Sequence, residues 1–207
     1  MNFLNKIYTW ILKNYVKAIS FLLIISLAYG IYLYLYFMAQ KKDQEVGDLF
    51  LNFYNSYSTA DFDDEEYKIV IDKILQISDD SIYLVMLKSL HAANLVENND
   101  LQEALKELLN AREILGTKGS DFNFLKEIVD LRIANIFIEL DDLERAKNIL
   151  NNYFTTYQTN KLILQGDIST IEKQFDEAKQ KYIEALERSE NETQKDLINL
   201  KISTLKD

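Results

Sequence analysis

Apolar positions along this chain follow two regimes. From Ala18 to Met38 they run for 21 residues without a charged side chain. After Asp43 they recur at spacings of three and four, the period of an amphipathic helix. Val46, Leu49, Phe50, Phe53 and Tyr57 share one face of a helix predicted over about 43–57. Tyr67, Val70, Ile71, Ile74 and Leu75 face inward in a second helix, begun by Asp61 or Asp63 and ending near Gln76. Further helices are predicted at about 81–97, 100–115, 122–139, 142–156, 160–172, 175–188 and 193–205. The last, with Leu197, Leu200, Ile202 and Leu205 beside Lys195, Lys201 and Lys206, reads as a helix that closes the end of an array. The pattern predicts an all-α fold.

Within that array a motif repeats. Asn99-Asp100-Leu101-Gln102-Glu103-Ala104 returns as Asp141-Asp142-Leu143-Glu144-Arg145-Ala146, and more weakly as Gln174-Phe175-Asp176-Glu177-Ala178. Twelve residues before each alanine stands another small residue: Ala92, Ala134 and Gly166. Seven residues after come Ala111, Tyr153 and Ala185. A small residue in a first helix, an Asn or Asp turn, and a second helix with small residues seven apart is the tetratricopeptide (TPR) arrangement. Small side chains let paired helices approach, and Leu95, Leu108, Phe137 and Leu150 fill around them. The turn Asp caps the second helix. The alanine spacings are 42 and 32 instead of a regular repeat, so the solenoid is irregular, and an unrelated helical bundle is the alternative. The excess is assigned to a loop over 115–121, where Gly116 ends one helix and Ser120 or Asp121 caps the next.

Stacked hairpins leave a concave face built from the first helix of each pair. By the repeat register, Met86, Ser89, Ala93 and Val96 of one hairpin and Ile128, Leu131, Asn135 and Ile138 of the next point there. Their apolar character suits a hydrophobic segment of a partner, unless neighbouring helices of the same chain cover them.

The uncharged segment has the length of a membrane span, about 31 Å at 1.5 Å per residue. Lys17 precedes it and Lys41 and Lys42 follow. Tyr8, Trp10 and Tyr15 on one side, and Tyr32, Tyr34 and Tyr36 on the other, suit the two interfaces. The reading is a retained signal anchor over 18–40, touching the bilayer through 18–38. A cleaved signal peptide, with cleavage near Ala39, is the rival. Lys6, Lys13 and Lys17 against Lys41 and Lys42 favour a cytoplasmic N-terminus. Leu4, Ile7, Tyr8, Ile11, Leu12 and Tyr15 form one face, so 1–17 reads either as a cytoplasmic amphipathic tail along the leaflet or as an extension of the membrane helix. Residues 41–207 then form the TPR-like domain.

Charge narrows the partners. From Asp43 onward 18 basic residues stand against 33 acidic ones, a net charge of −15. Nucleic acid binding needs a basic face, so no nucleic acid is expected. Anionic lipid is disfavoured for the domain, and basic partners are attracted. There is no Cys and no Pro, and Gly occurs five times, which suits a nearly all-helical chain.

Chemistry-bearing motifs are scarce. The single histidine, His91, sits beside the packing Ala92 and reads as a helix histidine. Without Cys or a second His, no metal site and no cofactor is expected. Asp61-x-Asp63-x-Glu65, with Asp72 at the twelfth place, lacks the Gly and the polar second half of a calcium loop. No Gly-rich phosphate loop or nucleophile elbow occurs. The expected activity is binding, not catalysis, with a membrane-anchored enzyme using carboxylates as the contrary reading.

A resemblance sharpens this. The anchor, the irregular TPR-like array, Val129-Asp130-Leu131-Arg132-Ile133-Ala134, Leu164-Gln165-Gly166-Asp167-Ile168 and Ile198-Asn199-Leu200-Lys201-Ile202-Ser203-Thr204-Leu205 together resemble the YfgM-like ancillary subunits of the bacterial Sec translocon. The resemblance implies a single-pass protein of the bacterial inner membrane, with its N-terminus cytoplasmic and its TPR-like domain periplasmic. The partners it implies are the SecYEG channel, a membrane-anchored periplasmic chaperone of the parvulin type, and unfolded proteins in transit. This chain departs in its short basic tail and in Lys173-Gln174, where a turn Gly is usual. A TPR scaffold of another envelope assembly is the alternative.

Overall fold

The structure, a computed structural model, describes residues 7–10, 13–57, 62–152 and 154–205. Among them are nine helices from Tyr15 onward and no strand. They are α1 (Tyr15–Tyr57), α2 (Asp64–Ile77), α3 (Ile82–Glu97), α4 (Leu101–Gly116), α5 (Asn123–Glu139), α6 (Leu143–Leu150), α7 (Gln158–Ile171), α8 (Phe175–Arg188) and α9 (Glu192–Thr204). The chain divides into two compact units, Met1–Leu49 and Phe50–Asp207. The division falls inside α1, because the apolar segment and the helix expected over 43–57 are one uninterrupted helix of 43 residues.

In the first unit, α1 carries a stretch long and apolar enough to cross a membrane, with mean hydropathy 2.1 and none of it buried. Tyr29, Tyr32 and Tyr36 stack in succession with ring centroids 6.4 Å apart. The Ser20 hydroxyl donates to the Val16 carbonyl at 2.9 Å, which satisfies it within the helix. Before α1 the chain bends at Asn14, whose side chain donates to the Trp10 carbonyl at 3.1 Å. Leu4, Ile11 and Leu12 of the amphipathic pattern lie outside the described residues.

The second unit is built of hairpins: α3 with α4, α5 with α6, α7 with α8, and α9 packed on α8. Each hairpin turns in the same way. Asn99, Asp141 and Lys173 stand at φ 61°, 59° and 61°, in the left-handed region. The amides of Asp100, Asp142 and Gln174 donate back to Leu95, Phe137 and Ser169, each at 2.8 Å. The amides of Asn99, Asp141 and Lys173 donate to Val96, Ile138 and Thr170 at 2.9–3.0 Å. These are the paired bonds of the Schellman motif, three times over, closed without a glycine. Asp100 and Asp142 then cap the next helix, accepting from Glu103 N at 3.3 Å and Arg145 N at 3.1 Å. Gln174 makes no such bond.

Across the turns, Ala92, Ala104, Ala111, Ala134, Ala146, Ala178 and Ala185 are at most 1 % exposed, and Gly166 is buried. A Cβ on Gly166 would sit 2.5 Å from the Tyr182 ring, so α7 and α8 meet there as closely as a backbone allows. One apolar cluster runs from Val85 through Ile133, Phe137 and Leu150 to Ile168. A second joins Leu162, Tyr182 and Ile198. Tyr153, the other position in the small-residue spacing, lies outside the described residues.

Several boundaries differ from expectation. Asp63 caps α2, accepting from Glu65 N at 2.9 Å and Glu66 N at 3.0 Å; Asp61 is outside the described residues. Leu75, expected inside, is 45 % exposed, because α2 is covered along a narrower stripe than its apolar face. Neither Ser120 nor Asp121 caps α5, which is entered through a 3₁₀ turn over Ser120–Phe122.

The largest departure is α6, which stops at Leu150 although its apolar period continues to 156. The reason is a buried carboxylate on α5. Glu127 accepts from Thr155 N and Thr155 Oγ1, both at 2.7 Å, from Thr156 N at 2.8 Å and from Tyr157 N at 2.9 Å. It thereby captures the segment leading into α7 and caps that helix from a distance. Burial alone would raise its pKa, but these four donors outweigh burial and hold it below the usual carboxylate range. One turn along, buried Asp130 accepts from Arg112 Nε of α4 at 2.5 Å and from Asn152 Nδ2 at 3.0 Å. Lys161 Nζ donates to the Asn152 carbonyl at 3.0 Å.

Two substitutions test this frame by urea unfolding of the detergent-solubilised chain. Glu127→Gln replaces one accepting oxygen with an NH2 donor that faces backbone N–H groups, and should lower stability by roughly 2–3 kcal/mol; an unchanged midpoint would contradict the distant cap. Lys173→Gly should raise stability by about 0.5–1 kcal/mol, since glycine adopts the left-handed turn without steric cost. A lowered midpoint would contradict that assignment.

Candidate partner-binding groove

Helices α3 and α5 are the first members of successive hairpins and run in the same direction, with α4 between them in sequence. Along their shared face lie two hollows. The first, about 220 Å³, is lined by Phe50, Tyr54, Val85, Met86, Leu90, Leu125, Ile128 and Val129, with Ser89 and Arg132 at its edge. The second, about 300 Å³, is lined by Ala92, Ala93, Val96, Leu108, Asn135 and Ile136, with Glu97, Glu139 and again Arg132. Arg132 stands between them, its Nη1 donating to the Ser89 carbonyl at 3.0 Å. That bond spans from α5 to α3 and divides one groove into two compartments.

The structure brings six of the eight residues expected at the groove to its walls. Met86, Ser89 and Ile128 line the first hollow, and Ala93, Val96 and Asn135 the second. Leu131 and Ile138 do not line either; both are half-buried against the main core cluster. Phe50 and Tyr54 were not anticipated, because the repeat register carries no information about α1. Arg132 was legible as part of a motif but not as the divider.

These stacked hairpins, closed by the same turn and joined at small residues, have their counterpart among known proteins. The sequence matches the tetratricopeptide repeat-like domain family over residues 9–207. The chain belongs to that family. No curated protein matches it. The match takes in the apolar segment as well as the hairpins, and TPR-like domains are in general non-catalytic scaffolds for protein contacts.

Several other polar groups of the TPR-like unit are tied into structure. Asp167 accepts from Tyr182 Oη and from Lys201 Nζ, each at 2.6 Å, and so joins α7, α8 and α9. Burial, then the bond to Asp167, pushes the Tyr182 phenol above its ordinary range. His91 is mostly buried, stacked on Phe62 with centroids 5.4 Å apart and tilted on Tyr67 at 4.1 Å. Its Nδ1 lies 3.3 Å from Glu107 and its Nε2 3.6 Å from Asp64. Glu107 also accepts from Lys88 Nζ at 2.9 Å. Among the described residues no three His, Asp or Glu side chains are placed to hold a metal ion.

Glu107 makes this cluster sensitive to acid. Burial works to raise its pKa, but the hydrogen bonds and charges of His91 and Lys88 prevail and pull it from 4.5 to about 2. A carboxyl depressed by folding contributes stability above its unfolded pKa and loses it as pH falls through the folded one. Roughly 3 kcal/mol should therefore disappear between pH 4.5 and 2. In thermal unfolding from pH 6 down to pH 2, Glu107→Gln should be less stable than the parent at pH 6 and show a flatter dependence between pH 4.5 and 2. Parallel curves for the two proteins would contradict this.

Proposed function

We propose that this chain is a non-catalytic, membrane-tethered adaptor of the Sec translocon. In this reading α1 anchors it in a bacterial inner membrane as a single pass, with the N-terminus cytoplasmic and the TPR-like unit periplasmic. The unit binds a membrane-anchored chaperone of the parvulin type and, through the same groove, unfolded segments of proteins in transit. The observation that carries the binding role is the two-compartment groove between α3 and α5, apolar at one end and open to solvent. An uncharged stretch of 21 residues supports the tether. The resemblance of the Leu131-Arg132-Ile133-Ala134, Gly166-Asp167 and C-terminal stretches to YfgM-like subunits supports the translocon as the place of action.

Purification of the tagged chain from its native membrane in mild detergent, with co-purifying proteins identified by mass spectrometry, tests the assignment. The channel and a periplasmic chaperone are expected with the parent chain. A variant with Ala18–Met38 replaced by an unrelated anchor should keep the chaperone and lose channel contacts made in the bilayer. Recovery of neither, with other envelope proteins in their place, would overturn the translocon assignment in favour of a TPR scaffold of another assembly.

A further inference from the structure

The two compartments of the α3–α5 groove differ in charge as well as shape. The first is walled by aromatic and aliphatic side chains, and Arg132, its one charged residue, is engaged by the Ser89 carbonyl. The second ends in Glu97 and Glu139, both exposed, and among the described residues neither has an ion-pair partner. Both stand at the C-terminal ends of their helices, where the helix dipole adds negative potential. Several other carboxylates that face a neighbouring element are matched by a cation: Glu107 with Lys88, Asp130 with Arg112, Glu172 with Lys147, and Asp167 with Lys201. Arg132 borders both compartments, so the second holds two carboxylates against one guanidinium and is the acidic end of the groove.

We propose that the groove takes a peptide segment whose apolar side chains enter the Met86–Ile128 compartment while a Lys or Arg reaches Glu97 and Glu139. This deepens the adaptor reading and rests on it. The spacing is set by the helices. Met86 to Glu97 and Ile128 to Glu139 are each eleven residues, about 16 Å at 1.5 Å per residue. The same distance separates residues eleven apart in a helical ligand, or about five apart in an extended one. The net charge of −15 from Asp43 onward steers a basic segment toward the domain, and the two carboxylates fix which way it lies.

The test is fluorescence anisotropy of the full chain in detergent with synthetic peptides. One set carries a Leu-Phe-Leu apolar stretch followed at the eleven-residue helical spacing by Lys-Lys. Another carries the same stretch with Lys-Lys at the five-residue spacing. Controls replace Lys-Lys with Gln-Gln or Glu-Glu. The lysine peptide of one spacing should bind at least tenfold more tightly than its glutamine form, and the glutamate form more weakly still. Glu97→Gln with Glu139→Gln should remove that tenfold gain and leave the glutamine peptide unaffected. Glu113→Gln with Glu190→Gln, an equal change of net charge away from the groove, should retain it. Met86→Ser should weaken every peptide. Equal binding of lysine and glutamine peptides, still sensitive to Met86→Ser, would overturn the charge assignment and leave the groove as a binding site. Equal loss in both pairs of carboxylate variants would overturn it in favour of diffuse attraction. No binding by any peptide would overturn the groove itself.

Discussion

Two helices joined by a short turn bury their facing surfaces only where their backbones approach closely, and this unit is built around that approach. Seven alanines at most 1 % exposed and one glycine occupy the crossing points, and at Gly166 the Tyr182 ring fills the space where a Cβ would be. The approach fixes the turn, since helices this close must be linked within a few residues. Asn99, Asp141 and Lys173 accept a left-handed backbone so that two amides can return to each preceding helix. Asn and Asp tolerate this conformation better than Lys, so the third hairpin carries more turn strain than the other two.

A solenoid of such hairpins also has to hold one pair against the next, and here buried charge contributes. Asp130 links α4, α5 and the segment after α6, while Glu127 draws in the approach to α7. Buried ions are costly unless fully hydrogen-bonded, and both of these are, mainly to groups distant in sequence. They determine that α6 is short, and with it the placement of the third hairpin.

The alternation of helices was legible in the sequence because each carries its own apolar period, and α3, α4 and α8 begin and end within one residue of expectation. The small residues twelve and seven apart were legible because close approach leaves no choice of side chain. The end of α6 was not. Its sequence continues the helical period, and the competing acceptor, Glu127, lies 28–30 residues away. Periodicity likewise shows which face is apolar but not how much of it is covered, which is why Leu75 is exposed. In the groove, the register placed Met86, Ala93 and Ile128 at the walls, but not Phe50, Tyr54 or the bridging Arg132, which depend on contacts between elements. Leu131 and Ile138 share the apolar character of wall residues and are drawn to the core instead.

The consequence for function is a TPR-like unit with a partly apolar groove between the first helices of two successive hairpins. The claim on which the account turns is that partners dock there and not on the outer helices. It is tested most directly by placing a photo-reactive benzophenone side chain at Met86, inside the groove, or at Leu109, which is 42 % exposed on α4 and lines neither hollow. Irradiation of native membranes should yield partner adducts from Met86 and none from Leu109. Adducts from Leu109 with Met86 silent would place the binding surface on the second helices and contradict the account.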